Sequence, residues 1–95
     1  MELKDKVVII TGGGTGVGRA TALKLAAAGS KVIINYSRSE KEAIDVADKI
    51  TQQGGTAFTY RANVTMENEV INMVSKTVTT FGKVDGLVNN ASITA

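Results

Sequence analysis

The stretch that most constrains this chain is VVIITGGGTGVGRA, Val7 to Ala20, where an apolar β-branched run meets five glycines within seven residues. A continuous β-branched run reads as a strand buried on both faces, as in a parallel sheet covered by helices. Glycine-rich backbone suits neither helix nor strand, because glycine loses more conformational freedom on ordering than any other residue. What it supplies is access. A helix N-terminus carries unpaired N–H groups and partial positive charge, and an anion reaches them only where no Cβ intervenes. A tight strand-to-helix turn needs one or two glycines, so the others point to a loop that cradles phosphate.

The rest of the chain supplies the context such a loop requires. Lys6–Thr11 (KVVIIT) is the first strand, and Gly16 to Ala28 the first helix, with Val17, Ala20, Leu23 and Ala27 on one face and Gly29 at its end. Lys31–Tyr36 (KVIINY) reads as a second buried strand. Ser39 and Glu42 form a capping box. The helix it opens turns Ala43, Val46, Ala47 and Ile50 inward and stops at Gly54-Gly55. Thr56–Ala62 (TAFTYRA) is a third strand, and Thr65 caps a third helix with Glu67 and Glu69 near its positive end. Val70, Met73, Val74, Val78 and Phe81 keep helical spacing up to Gly82, and Val84–Asn89 is a fourth strand. The order βαβαβαβ implies parallel strands with right-handed crossovers. The expected fold is therefore α/β, a Rossmann-like doubly wound parallel sheet, of which residues 1–95 make the first half with four strands.

Composition excludes several function classes. Ninety-five residues amount to one domain at most. Hydrophobic residues make up 43% and charged residues 21%, as in an ordinary globular chain. The eleven basic residues are interleaved with nine acidic ones and form no nucleic-acid stripe. The start, MELKDKVVII, is neither a signal peptide nor a membrane span. With no cysteine there is no disulfide or thiolate chemistry, which suits a reducing cytoplasm. With no histidine the commonest general base and metal ligand is missing, and no metal site is expected.

Spacing separates the possible nucleotide loops. The pattern G-x-x-x-x-G-K-[ST] fails because Arg19-Ala20 follow Gly18, so the hydroxyl that would ligate Mg²⁺ is absent. The pattern G-x-G-x-x-G fails because Val17 stands at its last position. T-G-x-x-x-G-x-G fits, as Thr11-Gly12, Gly16 and Gly18.

That last pattern resembles the short-chain dehydrogenase/reductase family. RANV at Arg61–Val64 is similar to the family's Asp/Asn-Val step beside adenine, and NNAS at Asn89–Ser92 to its N-N-A-G after strand four. Asn63-Val64 together with NNASIT look most like the 3-oxoacyl-acyl-carrier-protein reductases and glucose-dehydrogenase-like members. The resemblance implies that Gly12, Gly14, Thr15, Gly16, Val17 and Gly18 wrap a pyrophosphate. It implies too that Asn63 and Val64 border adenine, with Asn63 bonded to its amino group, and that Asn90, Ala91 and Ser92 lie along the nicotinamide-side ribose. Ser92 replaces the usual glycine, and Asn89 is expected to brace neighbouring strands.

An acid at the end of strand two would grip a ribose 2′-OH and repel a 2′-phosphate. Here Tyr36 takes the place where NAD-preferring members carry aspartate, followed by Ser37, a donor, and Arg38, whose fork suits phosphate. The expected cofactor is NADP(H) rather than NAD(H). Reduction of a carbonyl also needs a proton donor, which the family supplies as Tyr-x-x-x-Lys. Tyr36 is followed by Glu40 and Tyr60 by Val64, so no catalytic residue is assigned. The reading is the nucleotide-binding half of a ketone/alcohol oxidoreductase, with a substrate only in a complete enzyme. The alternatives are a non-catalytic NADP-binding module and a self-associating half-fold. The strand bearing Leu87 and Val88 is expected to form an open edge, which favours a homo-oligomer.

Overall fold

The computed structural model describes residues 2–90. Within them the elements are β1 (Val7–Thr11), α1 (Gly16–Ala27), β2 (Lys31–Tyr36), α2 (Glu40–Gln52), β3 (Thr56–Arg61), α3 (Glu67–Phe81) and β4 (Gly86–Asn89). The strands form one parallel sheet in the order β3-β2-β1-β4. β1 pairs with β2 from Val7↔Lys31 to Ile10↔Ile34, and with β4 from Val8↔Gly86 to Thr11↔Asn89. The chain thus steps outward from β1 to β3 and then returns past β1 to β4. That reversal opens a crevice at the carboxyl ends of β1 and β4, where ligands of such sheets bind. The glycine loop begins there.

Alternation along the strands explains the unbroken apolar runs. Val8, Ile10, Val32 and Ile34 pack against Ala22 and Ala26 of α1 and Ala43, Val46 and Ile50 of α2. Val7, Ile9 and Ile33 face the opposite layer, with Met73 of α3 and Ala62. Ile9, Ile10, Ile33 and Ile34 are fully buried. Each is worth about 1.5–3 kcal/mol relative to an exposed position. The helices end at Gly29, Gly54 and Gly82, each at positive φ, as the sequence predicts.

The helix faces depart from expectation in two places. α1 buries Gly18, Ala22 and Ala26, while Val17, Ala20 and Ala27 are exposed and Leu23 is half-buried. The helix approaches the sheet through residues with little or no side chain, and its alanines leave the pattern without a strong contrast between faces. In α3 the buried pair is Met73 and Thr77, and Val70 and Phe81 are half-buried. Val74 and Val78 are exposed, together with Ile71 and Leu87. The apolar arc of α3 is wider than the sheet surface it covers. Thr77 is tolerated inside because its hydroxyl donates to the Met73 carbonyl at 2.9 Å.

Caps and strand ends differ as well. Ser39 stands at the N-cap of α2, yet its side chain makes no capping bond. Met66, not Thr65, is the N-cap of α3. Thr65 is engaged elsewhere, donating its N–H and its hydroxyl to Asn63 Oδ1 at 3.0 and 2.7 Å. β4 starts at Gly86 rather than Val84 because Asp85 pairs with β1 partly through its side chain. Val7 N–H donates to Asp85 Oδ2, and Asp85 N–H to the Val7 carbonyl, both at 2.8 Å. Lys83 Nζ lies 3.0 Å from the same carboxylate oxygen. These donors hold the Asp85 carboxyl below its ordinary range, the Val7 N–H most of all.

Candidate functional site

The glycines of the loop divide by what surrounds them. A Cβ on Gly13 would lie 3.1 Å from the Ile10 carbonyl, and one on Gly14 2.8 Å from the Ala43 N at the start of α2. One on Gly18 would collide with the Gly12 carbonyl oxygen and lie 2.6 Å from Asn90 Nδ2. These three glycines let backbone pack on backbone. Gly12 and Gly16 instead hold left-handed φ values of 64° and 55°. A Cβ on Gly16 would meet nothing within 4 Å. The space above the start of α1 is open at that point.

The helix end beneath it is uncapped. Thr15, the N-cap, is extended and offers no side-chain bond, and the first turn holds no acid. Among the described residues the N–H groups of Gly16, Val17 and Gly18 have no partner, and Arg19 N–H is the first that finds one, the Thr15 carbonyl at 3.2 Å. Three donors and the positive end of α1 therefore face the opening beside Gly16, an arrangement suited to a phosphate. The loop is fixed from both sides. Gly13 N–H donates to the Asn35 carbonyl at 3.1 Å, and Asn90 Nδ2 approaches the Gly12 carbonyl at 3.4 Å. Asn90 N–H donates to Thr11 Oγ1 at 2.8 Å. Thr11 Oγ1 in turn lies 3.2 Å from Asn89 Oδ1, so Asn89 braces β4 against β1 as expected. Arg19 pairs with Asp45 at 3.0 Å, joining α1 to α2.

Along the same edge of the sheet, beyond β2, come Tyr36, Ser37 and Arg38. Ser37 and Arg38 are exposed, and Arg38 has no ion pair among the described residues. The nearest acid is Glu40. It accepts the Tyr36 hydroxyl at 2.7 Å. That bond raises the tyrosine's pKa, with desolvation adding to it, while Arg61 opposes the rise.

Asn63 and Val64 follow β3. Asn63 is exposed, but its acceptors are in use: Oδ1 takes both Thr65 donors, and its carbonyl takes Met66 N–H at 2.9 Å. Asn63 N–H donates to Glu69 Oε1 at 2.9 Å. The residues singled out from the sequence, from Gly12 to Asn90, thus collect at the carboxyl ends of the four strands. Ala91 and Ser92 lie outside the described residues. A separate cavity of about 500 Å³, lined by Gly29, Ser30, Lys31 and Thr56 among others, sits at the opposite end of the sheet.

Sequence reasoning missed two residues here. Asn35 is buried, and its Nδ2 faces the carbonyls of Ala62, Tyr60 and Tyr36 at 3.1, 3.3 and 3.4 Å. Its signal was one amide inside the apolar run KVIINY. Arg61 pairs in register with Tyr36 and adds a cation beside that ring. A charged residue closing a strand gave no comparable signal.

Fold and site together define a Rossmann-like parallel α/β sheet with an open, uncapped glycine loop at its switch point. A family profile described as short chain dehydrogenase matches residues 6–95. The chain belongs to the short-chain dehydrogenase/reductase family, whose members are oxidoreductases using a nicotinamide dinucleotide. It is 46% identical over 94 residues to the short-chain dehydrogenase/reductase homolog YusS of Bacillus subtilis (strain 168), covering 99% of this chain and 86% of that one. Among solved structures it is similar to a hydroxysteroid dehydrogenase from Escherichia coli, with a TM-score of 0.89 and 39% identity. That match covers 97% of this chain and 39% of the enzyme. A short-chain dehydrogenase/reductase from Serratia marcescens aligns with a TM-score of 0.92 and 33% identity, over 98% of this chain and 38% of that one. The chain therefore spans about two fifths of the length of these solved relatives. No helix among the described residues is long and apolar enough to cross a membrane.

Proposed function

We propose that this chain is the dinucleotide-binding half of an NADP(H)-dependent oxidoreductase that interconverts a ketone and a secondary alcohol, with reduction of a 3-oxoacyl thioester as the particular activity and the cytoplasm as its setting. The observation that carries the reading is the opening at Gly16 above three N–H groups that have no partner among the described residues. Gly12, Gly14, Thr15, Gly16, Val17 and Gly18 would hold the pyrophosphate, and Asn63 and Val64 the adenine. Asn90, with Ala91 and Ser92, would flank the nicotinamide-side ribose. When bound, the cofactor would supply the hydride.

The preference for NADP(H) rests on the end of β2. The acid nearest the end of β2, Glu40, follows Tyr36 by four residues rather than standing in its place, and one of its carboxylate oxygens accepts the Tyr36 hydroxyl. Ser37 and Arg38 are exposed beside it and suit a 2′-phosphate. Calorimetric titration tests both parts. Adenosine 2′,5′-bisphosphate should bind about tenfold or more tightly than 5′-AMP, and Arg38→Ala should erase most of that difference. Equal affinity for the two ligands would refute the NADP preference. No heat from either would refute the dinucleotide reading.

A self-associating half-fold is the second reading, favoured by β4. It pairs with β1 on one side only among the described residues, and Leu87 on it is 55% exposed. Sedimentation showing a monomer at high concentration would count against it.

A further inference from the structure

We infer that the corner between the apolar flank of α3 and the uncovered face of β4 is where a second copy of this chain docks, each copy covering the other's open face. The inference rests on the self-associating reading above and names the surface that carries it.

Leu87 is the floor of the corner. Its neighbour Val88 packs with the layer of α1 and α2, so Leu87 points to the opposite layer, the one that holds α3. It stands in register with Ile9 of β1. Ile9 is fully buried in the cluster that includes Met73 of α3, whereas Leu87, one strand away on the same face, is 55% exposed. The cover stops between them.

The wall is α3 itself. Met73 and Thr77 are its buried residues, and Ile71, Val74 and Val78 follow on one flank at spacings of three and four. The other flank is fixed by Glu69, whose Oε1 accepts the Asn63 N–H just beyond β3. The apolar flank therefore turns away from β3 and toward β4, on the side of Leu87. Charge agrees with this. Exposed residues of α2 include Glu40, Lys41, Glu42, Asp45, Asp48 and Lys49, whereas α3 exposes only two charges, Glu67 and Lys76. A surface helix ordinarily carries charged and polar residues opposite its apolar stripe. An exposed apolar patch with so little charge around it has the composition of an interface core.

Two occupants fit such a corner: a further helix of the same polypeptide, or α3 of another copy. The solved relatives have the length for the first. YusS, at the higher identity of 46%, does not. The match leaves about 15 of its residues, too few for another strand of about five with a crossover of a dozen or more. A chain of that size must find its cover on another molecule. A second copy brings the same uncharged apolar flank, and a two-fold axis beside Val74, at the middle of α3, lets each flank face the other.

The test is sedimentation equilibrium of the full chain, which should show monomer and dimer in a concentration-dependent balance. Ile71→Glu combined with Val78→Glu should weaken the dimer by about tenfold or more, since it buries charge at the contact. Ile44→Glu is the control: Ile44 is 44% exposed on α2 in the other layer, and its replacement should change the constant by less than about twofold. A second measurement avoids added charge and holds where the glutamate variant does not fold. The chain has no cysteine, so Val74→Cys introduces a single thiol that should form disulfide-linked dimers on oxidation, and Ile44→Cys should form few. An oligomer that the α3 glutamates leave intact would overturn the corner and leave self-association standing. So would linkage through Ile44→Cys as readily as through Val74→Cys. A monomer at high concentration would remove the self-associating reading itself.

Discussion

Asn35 is where the geometry of the site is most open to attack. Asn35 is 2% exposed and follows the apolar run Val32–Ile34 in β2. Its two Nδ2 hydrogens serve the Ala62, Tyr60 and Tyr36 carbonyls at 3.1, 3.3 and 3.4 Å. They amount to about two net hydrogen bonds at roughly 1 kcal/mol each. Asn35→Ala deletes them and leaves the carbonyl of the fully buried Ala62 without that donor, which adds about 1–3 kcal/mol. The expected loss is about 3–5 kcal/mol, against a total of about 5–14 kcal/mol for a chain of 95 residues. Such a loss lowers Tm by about 12 °C or more. Asn35→Leu fills the volume without restoring a donor and should keep most of the deficit. Asn35→Asp, which turns a carboxylate toward carbonyl oxygens, should be worst. Urea unfolding followed by far-ultraviolet circular dichroism at pH 7 gives the values. A cost below about 0.5 kcal/mol for the alanine, where ordinary surface substitutions fall, would refute the hydrogen-bond argument. Full recovery in the leucine would show that volume, not donors, matters there. Hydrogen exchange gives a second readout, since Gly13 N–H is held by the Asn35 carbonyl and should lose protection in the alanine variant.

Two further outcomes follow from named contacts. Gly18→Ala should destabilise the chain by about 1–3 kcal/mol in the same urea assay, although alanine favours a helix by about 1 kcal/mol, because the new Cβ runs into the Gly12 carbonyl. Asp85 has a folded pKa held below its ordinary value, chiefly by Val7 N–H and then by Lys83. Its stabilising contribution is present above the ordinary value and disappears as pH falls through the lower folded one. Acid titrations of stability should therefore show a smaller loss for Asp85→Asn than for the unaltered chain, and parallel curves would contradict the pairing.

How much of this could be read from the residues depended on whether local chemistry had a rival. The strands were legible because β-branched runs such as VVIIT have few other uses, and Gly29, Gly54 and Gly82 end the helices as expected. The face of α2 was legible because charged and apolar residues alternate sharply along it, and Ala43, Val46 and Ile50 are buried as read. The face of α1 was not, since alanines lie on every side and close approach of Gly18 sets the rotation. Caps failed for a different reason. A threonine hydroxyl has several local partners within reach, and at Thr65 the Asn63 side chain won over the helix end. Glu40 likewise went to Tyr36 across a strand-to-helix boundary, a contact that no periodicity announces. Asn35 was visible as an oddity in its strand, but its role depends on the end of β3, which only the fold brings beside it.

The glycine loop shows why a motif and a site are different observations. Gly13, Gly14 and Gly18 each have backbone or a core side chain within packing distance of a would-be Cβ, so close packing alone accounts for them in any tightly wound strand-to-helix unit. Their presence says little about a ligand. Gly16 has no such neighbour, and its left-handed φ is one that any residue with a Cβ adopts at a cost of about 1–2 kcal/mol. A capped start to α1 through Ser, Asp or Asn would have been worth about 0.5–2 kcal/mol, yet Thr15 caps nothing and three N–H groups have no partner among the described residues. At this one point the chain forgoes stability that an ordinary helix start provides. An anion seated on those donors would return it, so adenosine 2′,5′-bisphosphate should raise the unfolding temperature of the unaltered chain, and Gly16→Ala should lose much of that rise.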